Sequence, residues 1–195
     1  MPGAARCSTL RPMPQVRPAR HDDLPAILEI YNGAVLHTTA SYDLEPVTLE
    51  SRQEWFGQKE AGGWPVLVAE EAGEVVGFAT FGPFRGKAGF DGTAEHSVYI
   101  REGVRGGGLG TALMAPLIAE ARRMGLHVLV GGIDAENAGS LRFHGRFGFV
   151  PVAHMPQVGR KFGRWLDLVF VQLILDEEKS EGGAAPHGPA QTGAR

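Results

Sequence analysis

The stretch "VRGGGLGTALM", Val104 to Met114, sets an arginine and four glycines in front of a run with helical apolar spacing. Bare backbone that closes onto a helix N-terminus presents successive N–H groups with no Cβ in the way, which suits an anion such as a phosphate. A Walker A loop needs Gly-Lys-Ser/Thr after its second glycine. Here Gly108 is followed by Leu109 and Gly110, so neither the lysine nor the magnesium-binding hydroxyl is supplied. The dinucleotide pattern G-x-G-x-x-G fails as well, because its third glycine, counted from Gly106 and Gly108, falls on Thr111. Two readings are left: a phosphate cradle of another kind, or a glycine-rich connection that binds nothing.

Outward from the loop, the periodicities alternate between strand and helix. "AEHSVYI" leads into the glycines as a strand, and "WPVLVAEEAGEVVGFATFG" before it reads as two β-branched runs joined at Ala72 and Gly73, an antiparallel hairpin. Further upstream, a helix entered at Thr48 stops at Gly62 and Gly63. The strand "QVRPAR" precedes a helix with Asp22 as its N-cap and Pro25 in its first turn. Downstream, "GTALMAPLIAEARRMG" puts Leu113, Leu117, Ala121 and Met124 on one face, with a kink expected at Pro116. Then come a buried strand "HVLVGGID", a short helix in "ENAGSLRFHGRFGF", a strand "VPVAHM" and a long last strand "WLDLVFVQLIL". The order predicts an α/β fold of the α+β type.

The chain of 195 residues is expected to form one domain over 16–176, between a flexible lead-in, 1–15, and a disordered tail, 177–195, whose small polar residues cannot offset their ordering entropy. A net charge of −3 provides no general field for nucleic acid or an anionic membrane, so neither is expected as a partner. The single cysteine, Cys7, cannot form an intrachain disulfide. With no apolar core for a secretory signal near the start, the expected location is cytoplasmic. The seven histidines show no zinc-ligand spacing, so no metal is expected.

The segment "RGGGLG", Arg-x-x-Gly-x-Gly between a strand and a helix, resembles the pyrophosphate loop of the GNAT superfamily of N-acetyltransferases. Asn137 followed by a helix that ends in Gly148 and Phe149 resembles that superfamily's second signature. "TAEHSVY" and "KFGRWLDLVFVQL" resemble, more narrowly, the phosphinothricin and methionine sulfoximine N-acetyltransferases. The resemblance implies a GNAT fold, in which a central mixed, mostly antiparallel sheet is flanked by helices and splayed at the acetyl-CoA strand. It also implies acetyl-CoA as co-substrate, a small-molecule amine as acceptor and a homodimer. Carried over by position, the backbone of Val98, Tyr99 and Ile100 would pair with the pantetheine arm. Arg105, Gly106, Gly107, Gly108, Leu109 and Gly110 would hold the pyrophosphate, and Asn137 would contact the cofactor. Pantetheine has two amides that can pair with exposed strand groups much as an added peptide would.

An amine attacking a thioester needs its proton removed, the carbonyl oxygen stabilised and the thiolate protonated. Glu95, where the narrower family carries a glutamate near the amine, is the expected general base; a plain strand-end glutamate is the alternative. Where many GNAT enzymes have a tyrosine that protonates the thiolate, this chain has His144, which is expected to play an auxiliary catalytic part or to pack for shape. The oxyanion donor would be a backbone N–H on the Val98 strand. On the acceptor side the resemblance points to Tyr42, Phe84, Arg85, Gly86, Ala94, Glu95 and His96. Arg85 between Phe84 and Phe90 suits a small anionic amine, since its fork binds a carboxylate or phosphinate bidentately, while Lys87 can equally be a solvated charge. Lys161, Arg164 and Trp165 either reach the substrate or cover a dimer partner. The other activities weighed are a protein or peptide acetyltransferase and a non-catalytic coenzyme A-binding module.

Overall fold

The computed structural model describes residues 14–104 and 108–175. One seven-stranded sheet runs in the order β1-β2-β3-β4-β5-β7-β6. Its strands are β1 (Gln15–Pro18), β2 (Val66–Glu71), β3 (Glu74–Pro83), β4 (Thr93–Ile100), β5 (Val128–Asp134), β6 (Val150–Lys161) and β7 (Arg164–Ile174). The β4–β5 pair is parallel and the other pairs are antiparallel, as the resemblance implied. Helix α1 (Leu24–His37) and α2 (Leu49–Ala61) pack on one face, and α3 (Leu109–Arg123) on the other, with α4 (Ala138–Gly145) beside it.

Strand alternation sorts the core into two layers. Val68 and Phe78 point to the α1 and α2 side with Leu24, Ile27, Ile30 and Phe56, while Ala69, Ala79 and Phe81 point to the α3 side with Leu113, Met114 and Leu117. Among the described residues, no helix is long and apolar enough to cross a membrane.

Local chemistry explains most boundaries. Thr48 caps α2 by accepting from the Ser51 N–H, and the β2–β3 turn places both Ala72 and Gly73 at positive φ, the geometry of a two-residue hairpin. The expected cap of α1 is corrected. Asp23, not Asp22, stands at its N-cap position but makes no side-chain cap bond; its carboxylate accepts instead from Arg17 at 2.7 and 2.8 Å and from the Arg20 N–H at 2.7 Å. Helix α3 continues as one element through Pro116, which lies on its exposed side. The strand expected at "VPVAHM" extends to Lys161 and turns at Phe162 and Gly163 into β7.

Candidate active site

Strand β4 positions the site. It pairs with β5 only from Thr93 to Glu95; beyond that, β5 stays with β7 and the two strands part. The Arg101 N–H donates to the Val76 carbonyl at 2.8 Å, which fixes the phase of the β3–β4 ladder. Glu95, Ser97 and Tyr99 therefore exchange bonds with β3, while Val98 and Ile100 turn their N–H and C=O groups into the opening. The sheet thus holds an unpaired strand edge inside the molecule, and such an edge calls for a partner.

A cleft of about 770 Å³ fills the opening, and Val98, Tyr99, Ile100, Leu109, Gly110 and Asn137 line it. Its floor is the N-terminus of α3, whose first internal bond runs from the Ala112 N–H to the Gly108 carbonyl, so the first-turn N–H groups before it have no helical acceptor. Gly108 sits there at φ 77°, a left-handed conformation that glycine adopts without strain. Arg105, Gly106 and Gly107 lie outside the described residues. Asn137 caps α4 with its Oδ1, which accepts from the Ser140 N–H at 3.0 Å; among the described residues its amide N–H groups have no acceptor. An unpaired strand edge, a helix N-terminus and this amide together fit an extended, amide-bearing molecule that ends in phosphates.

Glu95 and Ser97 face the α1 and α2 side, whereas Ala94 and His96 are buried on the α3 side. Glu95 is exposed, with Oε1 3.6 Å from the point where a Cβ on Gly132 would sit. Partial burial of its carboxylate pushes its pKa up, and the nearby Arg85 guanidinium opposes that in part. Arg85 stacks 5.0 Å from the Phe84 ring centroid and, with Phe84, Gly86, Lys87 and Phe90, lines a shallow open cavity. Tyr42 is placed differently: its hydroxyl donates to the Asp167 carbonyl at 3.3 Å and its ring lies against Gly159 of β6.

His96 and His144 form a buried pair, with Nε2 atoms 2.9 Å apart. Each ring also sets Nδ1 2.8 Å from a backbone carbonyl, Val130 for His96 and Ser140 for His144. If both Nδ1 atoms carried the proton of a neutral ring, two lone pairs would meet between the rings. Burial, and for His96 the neighbouring His144, lower both pKa values, that of His96 to about 3, so the pair is neutral near pH 7. Two neutral arrangements join the rings: either His96 Nδ1–H donates to Val130 and His144 Nε2–H to His96, with His144 Nδ1 accepting from the Ser140 hydroxyl at 3.3 Å, or His144 Nδ1–H donates to the Ser140 carbonyl and His96 Nε2–H to His144. Ser140 lines the cleft, so this chain of hydrogen bonds opens on it.

The sequence reading passed over Ser140, the pairing of the two histidines, and Arg52. Ser140 follows Asn137 at the i+3 position of a cap and leads His144 by one helical turn, a spacing visible in the sequence once α4 is located. Arg52 shares the inward face of α2 with Phe56, and that i, i+4 pairing was its signal.

The Acetyltransferase (GNAT) family model matches residues 24–149. An L-methionine sulfoximine/L-methionine sulfone acetyltransferase of Pseudomonas aeruginosa strain PAO1 is 52% identical over 166 residues, 85% of this chain and 96% of that protein. A candidate acetyltransferase from Salmonella typhimurium, solved with its cofactor acetyl-CoA, superposes with a TM-score of 0.82 at 49% identity, over 88% of this chain and 99% of that one. A phosphinothricin acetyltransferase from Sinorhizobium meliloti, in complex with acetyl-CoA, gives a TM-score of 0.82 at 31% identity, over 88% and 94%.

Proposed function

The chain belongs to the acetyltransferase (GNAT) family, and from that premise we propose that it moves an acetyl group from acetyl-CoA to the free amine of a small amino acid analogue of the methionine sulfoximine, methionine sulfone or phosphinothricin type. One observation carries the reading: a strand edge parted from its neighbour at Glu95 meets, on one side, a cleft suited to an extended cofactor and, on the other, a carboxylate with a raised pKa beside an arginine.

Acetyl-CoA supplies a thioester, whose carbonyl carbon bonds to the amine as its C–S bond breaks. Val98, Ile100 and Tyr99 line the pantetheine path, and Leu109, Gly110 and Asn137 its phosphate end. Arg105, Gly106, Gly107 and Gly108 complete the phosphate cradle in this proposal. Glu95 takes the proton that the ammonium must lose, directly or through water, and its raised pKa makes it a better base than an ordinary carboxylate. The Val98 N–H, turned into the opening, donates to the carbonyl oxygen as charge builds on it. The Ser140 hydroxyl, which lines the cleft, donates a hydrogen bond to the departing thiolate, and solvent entering the cleft supplies the proton that the sulfur takes up. Arg85 and the Phe84 ring hold the polar group on the acceptor's side chain.

The test follows thiol release from acetyl-CoA over a panel of free amino acids, their analogues and short peptides. Release with methionine sulfone, methionine sulfoximine or phosphinothricin is expected. Release with peptides alone would turn the reading to a peptide acetyltransferase, and release with none would leave a coenzyme A-binding module.

A further inference from the structure

A second cavity, of about 290 Å³, lies between β3, β4 and the two helices over them, lined among others by Ser97 and Tyr99 of β4, Thr80 of β3, Tyr31 of α1, and Arg52 and Trp55 of α2. Arg52 is only 6% exposed. Its guanidinium lies 4.1 Å from the Tyr31 ring centroid and 4.7 Å from that of Trp55, and its Nε is buried without a hydrogen-bond partner. Among the described residues no carboxylate lies within 4.0 Å of it. Asp43, the acid at the cavity, is held by the Tyr31 hydroxyl at 2.6 Å. Desolvation accordingly lowers the Arg52 pKa.

A guanidinium stripped of water and without a direct ion pair, its cavity's acid Asp43 being bound by Tyr31, is costly, and a bound anion offsets that cost. The aromatic faces on either side shield such an ion pair, while the hydroxyls of Ser97, Thr80 and Tyr99 add neutral polar groups to the wall. The cavity also lies on the Glu95 face of β4, through Ser97. Ser97 follows Glu95 by two residues on the same face of β4, about 7 Å along the strand. An α-amino acid with its amine at Glu95 and its carboxylate toward Arg52 spans a separation of that order, hydrogen bonds included.

We propose that Arg52 is the subsite for the α-carboxylate of the acceptor, so that the enzyme selects free α-amino acids over simple amines. The assignment rests on the small-amino-acid reading above, and it leaves Arg85, on the other side of Glu95, to the polar group of the acceptor's side chain.

The test compares L-methionine sulfone with 3-(methylsulfonyl)propylamine, the same molecule without its carboxylate, as acceptors for the full chain. For the wild type, kcat/KM is expected to be about 100-fold higher with the amino acid, the range of a charge-assisted pair. In Arg52→Gln the KM for methionine sulfone rises by about that factor. The KM for acetyl-CoA and the kcat/KM for the amine stay within about threefold, so the preference disappears; Arg52→Lys recovers part of it. A wild type that uses the two acceptors equally overturns the assignment without any variant, whether or not Arg52→Gln folds. A folded Arg52→Gln that keeps the preference overturns it as well. Release from neither acceptor, with acetyl-CoA still bound, overturns the small-amino-acid reading itself and the assignment with it.

Discussion

His96 is among the most constrained side chains of the protein. Its ring leaves no room for a Cβ on Gly131, where one would lie 2.7 Å from Cε1, and it is held between Val130, His144 and Phe149 with no carboxylate among these contacts. Its folded pKa lies far below the ordinary histidine value of 6.5. The unfolded chain therefore binds the proton that the fold refuses, and the stability from a neutral buried pair is complete above about pH 6.5 and lost as pH falls below it. A urea midpoint that drops between pH 7 and pH 5 is the expected result, with a shallower drop in His96→Phe. A flat wild-type midpoint over that range would mean that the pair accepts charge in place. His144 was visible in the sequence by its position after Asn137. Its pairing with His96 was not, because nothing in a strand pattern shows which helix side chain will meet an inward histidine.

At the scale of elements, the first strand and helix are joined by one ionic cluster. Arg17 of β1 grips Asp23 at the start of α1 through both nitrogens and also reaches Glu70 of β2 at 2.6 Å. The Asp23 pKa is lowered, with the Arg17 hydrogen bond as the largest cause. This contribution is present in full above the unfolded carboxylate value, near 3.9, declines below it and is lost as pH falls through the lower folded value. Asp23→Asn, which keeps shape but loses charge, is expected to cost about 1.5–3 kcal/mol at pH 7 in chemical unfolding, and much less near pH 3. An equal cost at both pH values would assign the effect to packing. The strand and helix order was legible because apolar periodicity reports local geometry, and the hairpin turn and the Thr48 cap followed from turn and cap chemistry. The cap of α1 was misplaced by one residue because a 3-10 turn over His21–Asp23 runs into the helix and the Asp23 carboxylate is bound by Arg17, a contact outside the local pattern. Gly108 was read as giving room to a phosphate; its positive φ adds a backbone reason that spacing cannot show.

Over the whole molecule, the sheet ends in β6, a twelve-residue edge strand that is exposed along most of its length. Val150, Val152, Met155 and Val158 lie on it and Phe162 and Trp165 at its turn, all of them large apolar side chains at the surface. A long apolar edge of this kind invites another strand or sheet, and it is where a second copy would pack if the homodimer implied by the resemblance forms. Light scattering should then give the mass of two chains rather than 20.9 kDa, and Val152→Lys with Val158→Lys should give one. A wild type that scatters as a single chain at tens of micromolar would contradict this. The glycine loop and Asn137 pointed to the cofactor from sequence because they are local motifs. The cavity that holds Arg52 was not legible, since it is assembled from α1, α2, β3 and β4, and no short stretch contains it.

The account turns on a division of labour along β4, with the cofactor on the parted edge and the proton acceptor on the face carrying Glu95. Glu95→Gln tests it most directly when acetyl-CoA binding and turnover are measured on the same preparation across pH. The wild-type kcat should rise with pH through a value above the ordinary carboxylate range, because only the ionised form accepts the proton. The variant should bind acetyl-CoA with unchanged affinity, lose about 10²–10⁴-fold in kcat and show no such rise. A variant with the turnover and pH profile of the wild type would contradict the account.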